Sequence, residues 1–193
     1  AAIRDIVLVC REQDIMPYTE LAKAFSIDKL CTVTRGGETR TESVLAGITA
    51  APENAVLVAV HDGARPLISP DLIAHTIATL KGNIDCDGAV VAHPAVDTLK
   101  VVENGVIVGT PDRRVFWNAQ TPQVFRAGIY RRAHASALSD GFMGTDDSSL
   151  IERLGGRVLV VEGKRDNIKL TVPEDYLMLA AAVRTMYMKG AEE

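Results

Sequence analysis

The chain has 193 residues, with 25 acidic against 21 basic side chains, a formal net charge of −4, and 47% hydrophobic residues. That length suits one domain with a full core, and this composition is ordinary for a globular protein, so disorder is not the default. No basic stripe interleaved with aromatics points to nucleic acid, and no apolar run reaches membrane-spanning length. With no charged-then-apolar leader before the first strand, a cytoplasmic protein is expected. Cys10, Cys31 and Cys86 are odd in number and form no C-x-x-C pair, so they are expected to be buried thiols in a reducing compartment. His61, His75, His93 and His134 lack metal-ligand spacing.

Asp5–Cys10 predicts a buried strand, and the spacing of Ile15, Tyr18, Leu21, Ala22 and Phe25 predicts a helix over 14–25. Cys31–Thr34 is a second strand. Thr39 or Thr41 then caps a helix carrying Val44, Leu45 and Ile48. Residues 55–60 form the next strand, Pro70 opens a helix to Lys81, and Gly88–Ala92 is again a strand. This β-α-β-α-β-α-β order predicts a mainly parallel α/β sheet with helices on both faces.

After Ala92 the pattern changes. Thr98–Val102 and Val106–Val108 flank Glu103-Asn104-Gly105, a hairpin signal. The hairpin is expected to project as an arm over about 96–112, its apolar side chains covered by a second subunit. Gln120–Phe125 reads as a strand end closed by Pro122, followed by a helix over 126–138. Thr145-Asp146-Asp147 reads as a capping threonine with two acids in the first turn of a helix to Leu154. Arg157–Val161 and Asn167–Thr171 read as strands. Pro173 opens a last helix, ended by Lys189-Gly190, whose face of Tyr176, Leu179, Ala180, Val183 and Tyr187 is core-like.

The chemistry centres on His61-Asp62-Gly63-Ala64-Arg65-Pro66, just past a strand end, where open α/β sheets bind ligands. Asp62 suits a hard cation such as Mg²⁺, and Arg65 suits phosphate oxygens. An ordinary strand-to-helix turn would use the same residues. Asp62, Arg65, Lys100, Arg113, Arg114, Arg165, Lys169, Thr98, Thr121 and Thr145 together suit a phosphorylated, hydroxyl-rich substrate beside a metal-nucleotide. No nucleophile stands next to a base, and no G-x-S-x-G motif occurs. Transfer by positioning and charge neutralisation is therefore expected over covalent catalysis.

Five stretches in register carry a resemblance: Gly36–Gly47, Val60–Pro66, Thr121–Phe125, Thr145–Asp147, and Gly163–Asp175 with Asn167, Lys169, Thr171 and Pro173. They resemble the 2-C-methyl-D-erythritol 4-phosphate cytidylyltransferases of isoprenoid biosynthesis, over essentially the whole chain. The resemblance implies a Rossmann-like nucleotidyltransferase fold that transfers CMP from CTP to methylerythritol phosphate with Mg²⁺ and releases pyrophosphate. It implies a homodimer whose β-arm reaches the neighbour's site. Gly37, Glu38 and Ser43 would surround the cytidine, with Asp62 on the metal and Gly63 beside the nucleotide. Arg65, Thr98, Arg113, Thr121, Thr145 and Lys169 would surround the acceptor, Arg113 and Lys169 positioning its phosphate. The alternatives are another polyol phosphate such as ribitol 5-phosphate, or a non-catalytic dimerisation module.

Three departures stand out. Gly63 replaces a usual alanine, and Glu38 a common aspartate. The third concerns the start: Ala1–Asp5 corresponds to the family's second strand, so its first strand and glycine-rich loop have no counterpart here. An N-terminally incomplete domain is therefore expected, with two open strand edges and little activity from these residues alone.

Overall fold

The computed structural model describes the backbone of residues 2–190 and the side chains up to residue 185. In chain order it has β1 (Ile6–Cys10), α1 (Ile15–Ala24), β2 (Leu30–Arg35), α2 (Arg40–Ala50), β3 (Leu57–Val60) and α3 (Pro70–Gly82). There follow β4 (Gly88–Pro94), β5 (Val101–Glu103), β6 (Val106–Gly109), β7 (Trp117–Arg126), α4 (Ala127–Ser139), α5 (Asp147–Arg153), β8 (Val158–Glu162) and α6 (Pro173–Gly190). β1 and β2 pair in parallel, and a second sheet has the order β3-β7-β4-β8. There β8 runs parallel to β4, while β7 runs antiparallel to both β3 and β4. Hence β3, β4 and β8 point one way, and β7 is the reversed member.

Side chains alternate between the faces of the second sheet, as the pleat requires. Val90 and Phe125 face Ile48 of α2, Tyr130 of α4 and Ile151 of α5. Ala89, Val124 and Val161 face Ile77 and Leu80 of α3. With helices on both faces, β4 is buried from Gly88 to Ala92 and reads as a continuous apolar run. Val44 and Ile48 pack toward Val58 and Val60 of β3, so α2 joins the two sheets. Among the described residues β1 pairs only with β2 and β3 only with β7, so each keeps one open edge.

Several expectations change. Pro122 does not close a strand: β7 runs ten residues through it. The register jumps from Val90↔Gln123 to Ala92↔Ala119, leaving Gln120–Pro122 in a bulge that tolerates a residue without an N–H. No strand forms at 167–171, which is loop. Asp146, not Thr145, caps α5, accepting from Ser149 N. Only Cys86 is buried; Cys10 is half-buried and Cys31 exposed. The α6 face is not core: Tyr176 is 67% exposed and Leu179 and Val183 are half-buried, while the side chain of Tyr187 lies outside the described residues.

The hairpin forms as expected, with Asn104 and Gly105 both at positive φ (50° and 80°), the turn that Asn-Gly favours. Its apolar side chains Val101, Val102, Val106, Ile107 and Val108 are all exposed.

Candidate active site

β3 ends at Val60, and the next residues carry Asp62 to the rim of the second sheet. Three cations from separate parts of the chain meet there. Lys169 Nζ lies 3.0 Å and Arg65 Nε 3.7 Å from Asp62 Oδ2, while Arg40 Nη2 lies 3.5 Å from Oδ1. Burial pushes the Asp62 carboxyl up, but the Lys169 ammonium, followed by Arg40 and Arg65, outweighs it and holds the group below its ordinary value.

The loop after β8 brings Lys169 to this place. Gly163 starts it, and any Cβ there would stand 2.4 Å from Val91 Cγ1 and 2.6 Å from Gln120 Oε1, so only glycine fits. Leu170 N then donates to Ala64 O at 2.8 Å, and Arg65 Nη1 donates to Asn167 O at 2.7 Å. Buried Asn167 donates through Nδ2 to Thr121 O at 2.9 Å, and Gln120 Nε2 donates to Asn167 O at 3.2 Å. The β7 bulge, the Asp62 loop and the Lys169 loop thus form one hydrogen-bonded block.

Behind Asp62 stands a charge the sequence reading missed. Asp147 is 2% exposed; it accepts from Arg40 Nη2 at 2.7 Å and from the Tyr130 hydroxyl at 2.5 Å. Burial pushes Asp147 up, yet the neighbouring His134, Arg40 and Tyr130 hold its carboxyl below the ordinary range, while burial drives the Tyr130 hydroxyl well above its own. His134 Nε2, 3.8 Å from Asp147, is beyond hydrogen-bond range and has no partner. The signal lay in Thr145-Asp146-Asp147: a helix needs one capping acid, and the second had no structural task. Arg40 stood inside a quoted motif without a role.

The other predicted residues fall into three groups. Gly37, Glu38 and Ser43 line a cavity of about 420 Å³ at the carboxyl ends of β1 and β2. Ser43 Oγ accepts from Gly37 N at 3.1 Å and donates to Thr39 O at 2.9 Å. A Cβ on Gly37 would stand 2.2 Å from Glu42 Cβ. Glu42 Oε2 accepts from Glu38 N and Thr39 N, closing a capping box that puts the positive end of α2 at this cavity. Thr98 and Arg113 lie on the arm, where Arg113 donates to Val96 O. No hydrogen bond or ion pair among the described residues joins either of them to Asp62 within one chain. Thr145 is exposed, and Thr121 is buried at 3% exposure. Gly63 has open space where a Cβ would stand, so alanine there would fit equally well.

Among the described residues no three His, Cys, Asp or Glu side chains form a metal cage. A cation held by Asp62 would have to take its remaining ligands from phosphate and water.

Comparison with known proteins now decides the family. The sequence profile of the 2-C-methyl-D-erythritol 4-phosphate cytidylyltransferases matches residues 1–185. The chain belongs to this family. The cytidylyltransferase of Geotalea uraniireducens is 43% identical over 188 residues, covering 95% of this chain and 79% of that protein. That of Syntrophotalea carbinolica is 44% identical over 178 residues, covering 92% and 72%. The crystal structure of the 4-diphosphocytidyl-2C-methyl-D-erythritol synthase from Anaerococcus prevotii superposes with a TM-score of 0.85 at 30% identity, covering 94% of this chain and 79% of that one. Within the cytidylyltransferase family fold, the Asp62 rim and the Gly37–Ser43 cavity are the two places where predicted site residues of this chain gather.

Proposed function

We propose that this protein transfers CMP from CTP to 2-C-methyl-D-erythritol 4-phosphate and releases pyrophosphate. The observation that carries this reading is the convergence of Lys169, Arg65 and Arg40 on Asp62, in a chain of this family. A phosphate oxygen of the acceptor attacks the α-phosphorus of CTP; the new P–O bond forms as the bond to the pyrophosphate breaks. Two anions must approach, and fixed cations lower that barrier only if they are already in place. Lys169 and Arg65 are in place, because the Asn167 and Ala64 hydrogen bonds fix their loops before any substrate arrives. Gly37, Glu38 and Ser43 line the cavity that would take the cytosine and ribose. Asp62 would hold Mg²⁺, which supplies charge neutralisation to the triphosphate.

Thr98 and Arg113 find no partner at the rim of their own chain, and the arm that bears them exposes its apolar side chains. This supports a homodimer in which the arm brings Thr98 and Arg113 to the neighbour's acceptor phosphate. No described helix is long and apolar enough to cross a membrane, and a reducing compartment suits the unpaired cysteines, so the cytoplasm is the proposed location.

Pyrophosphate release from CTP and methylerythritol phosphate tests the reading, with the protein expressed from its complete reading frame. Release at the no-enzyme rate refutes it. Ribitol 5-phosphate in parallel decides the acceptor.

A further inference from the structure

Asp62 divides its cations unequally between its two oxygens. Lys169 Nζ and Arg65 Nε face Oδ2, at 3.0 Å and 3.7 Å, while among the described residues Oδ1 faces only Arg40, at 3.5 Å. Arg40 is thus the cation that opposes rotation of the carboxylate toward Lys169. By itself it would not stay there. Ordering a long, flexible side chain is unfavourable, and Lys169 and Arg65 repel a third positive charge. Asp147 supplies what holds it: its Oδ2 accepts from the same Arg40 Nη2 at 2.7 Å. One guanidinium nitrogen therefore lies between two carboxylates.

The fold does not need a charge at 147. Asp146 already caps α5, accepting from Ser149 N at 3.0 Å and from Gln123 Nε2 at 2.8 Å. Asp147 is buried and turns instead toward α4 and α2. The Tyr130 hydroxyl donates to its Oδ1 at 2.5 Å, and the Tyr130 ring is itself fixed by stacking on Phe125, with centroids 4.6 Å apart. An apolar set of similar volume would pack α2, α4 and α5 at least as well as this buried charge. A charge kept where packing does not ask for one, one residue away from the site, points to a task in that site.

We infer that Asp147, braced by Tyr130, is a positioning residue: it fixes Arg40 against Asp62 Oδ1 and so sets the plane of the Asp62 carboxylate before any substrate arrives. The consequences for turnover rest on the cytidylyltransferase reading; the consequence for the carboxylate does not.

The test uses protein expressed from its complete reading frame. Combining Arg40→Met, Asp147→Leu and Tyr130→Phe removes both charges and the hydroxyl together, so the denaturation midpoint should stay close to that of the wild type. Its kcat should nevertheless fall about tenfold, with KM for CTP and for the acceptor within about twofold, because a misplaced carboxylate is felt in the transition state. A wild-type kcat in this variant would mean that the network only packs helices, and overturns the inference. A loss confined to KM would show Arg40 binding the ground-state substrate, and overturns it too. Single substitutions keep the question open to an answer if the triple variant does not fold. Asp147→Asn should lower kcat, and adding it to Arg40→Met should cost no more than about a further twofold, since Asp147 acts through Arg40; losses that multiply overturn the inference. Ligand-free crystal structures of the wild type and Asp147→Asn need no turnover at all. The Asp62 carboxylate should be rotated toward Lys169 in the variant, and an unmoved carboxylate overturns the inference. Absence of pyrophosphate release from the wild type would sink the proposed reaction, while these crystals would still decide the positioning.

Discussion

The Asp62 rim and the β5–β6 arm are built on opposite terms. At the rim nearly every charge finds an opposite within the same chain: Lys169 and Arg65 on Asp62, Arg40 shared with Asp147, Tyr130 beneath it. On the arm the apolar side chains stay open to solvent, Ile107 at 59% exposure. The rim is a finished device within one chain, held ready against its own charge. The arm leaves its apolar side chains uncovered within one chain, and in the proposed dimer its two candidate contacts, Thr98 and Arg113, meet the neighbour's surface. A single fold therefore carries one half of a site that it completes and one half that it offers.

The largest expected effect breaks the finished half. Asp62→Asn removes the one acid at the rim and leaves three cations facing each other, so pyrophosphate release should fall by at least about a hundredfold. Mixing this variant with Arg113→Ala sharpens the comparison. If the arm serves the neighbour, each mixed dimer regains one intact site, and re-equilibrated mixtures should recover about a quarter of wild-type activity. No recovery would place Arg113 in its own chain's site or outside any.

Next comes the buried support. Asp147→Asn leaves Arg40 without its closest partner; Asp147 is 2% exposed but Arg40 38%, so losing this charged hydrogen bond should cost about 1.5 kcal/mol in chemical denaturation. Replacing both, Arg40→Met with Asp147→Leu, should recover most of that stability, because the desolvation cost disappears with the charges. The pH dependence follows from the sign of the shift. Asp147 is depressed in the folded state, so its contribution is present above the ordinary carboxylate range and is lost as pH falls through the depressed value. Stability of Asp147→Asn should therefore vary less with acid than that of the wild type. Parallel acid profiles would contradict the role of this carboxylate.

Much of this was legible in the residues, and the failures share a cause. The Asn104-Gly105 turn, the Thr39 cap and the Pro70 helix start are local chemistry, and they stand where the sequence put them. The Asp62–Lys169 meeting was reachable only through family resemblance, since 107 residues separate them and no periodicity spans that distance. Pro122 misled because local rules end a strand at proline, whereas the bulge against Val90–Ala92 is a property of the neighbouring strand. The α6 face misled for the reverse reason: its spacing is apolar, but among the described residues Tyr176 stays 67% exposed. Arg40 and Asp147 were not read as a pair because an ion pair spanning 107 residues leaves no period in the sequence.

A smaller effect tests the offered half. Ile107→Asp places a charge on the exposed apolar strand of the arm. Sedimentation should show the dimer shifting toward monomer. In the dissociated protein thermal stability should move by no more than about 0.5 kcal/mol, since this side chain packs on nothing in its own chain. A large stability loss in the monomer would mean that the arm folds back on its own domain, and the contrast with the rim would fail.

The smallest expected effect lies at the cavity. Thr39 accepts from Glu42 N at 3.1 Å, and its own N–H donates to the Glu42 carboxylate. Thr39→Ala removes the first bond and should cost about 1 kcal/mol of stability. The functional consequence depends on what the capping box holds. Glu42 also accepts from Glu38 N, and Ser43 ties Gly37 to the same helix turn, so loosening the cap frees the strip expected to line the cytidine. KM for CTP should rise a few-fold while KM for the acceptor, bound at the Asp62 rim, stays put. Equal rises in both would show that α2 transmits the loss through Arg40, its first residue, and that cavity and rim are one mechanical unit.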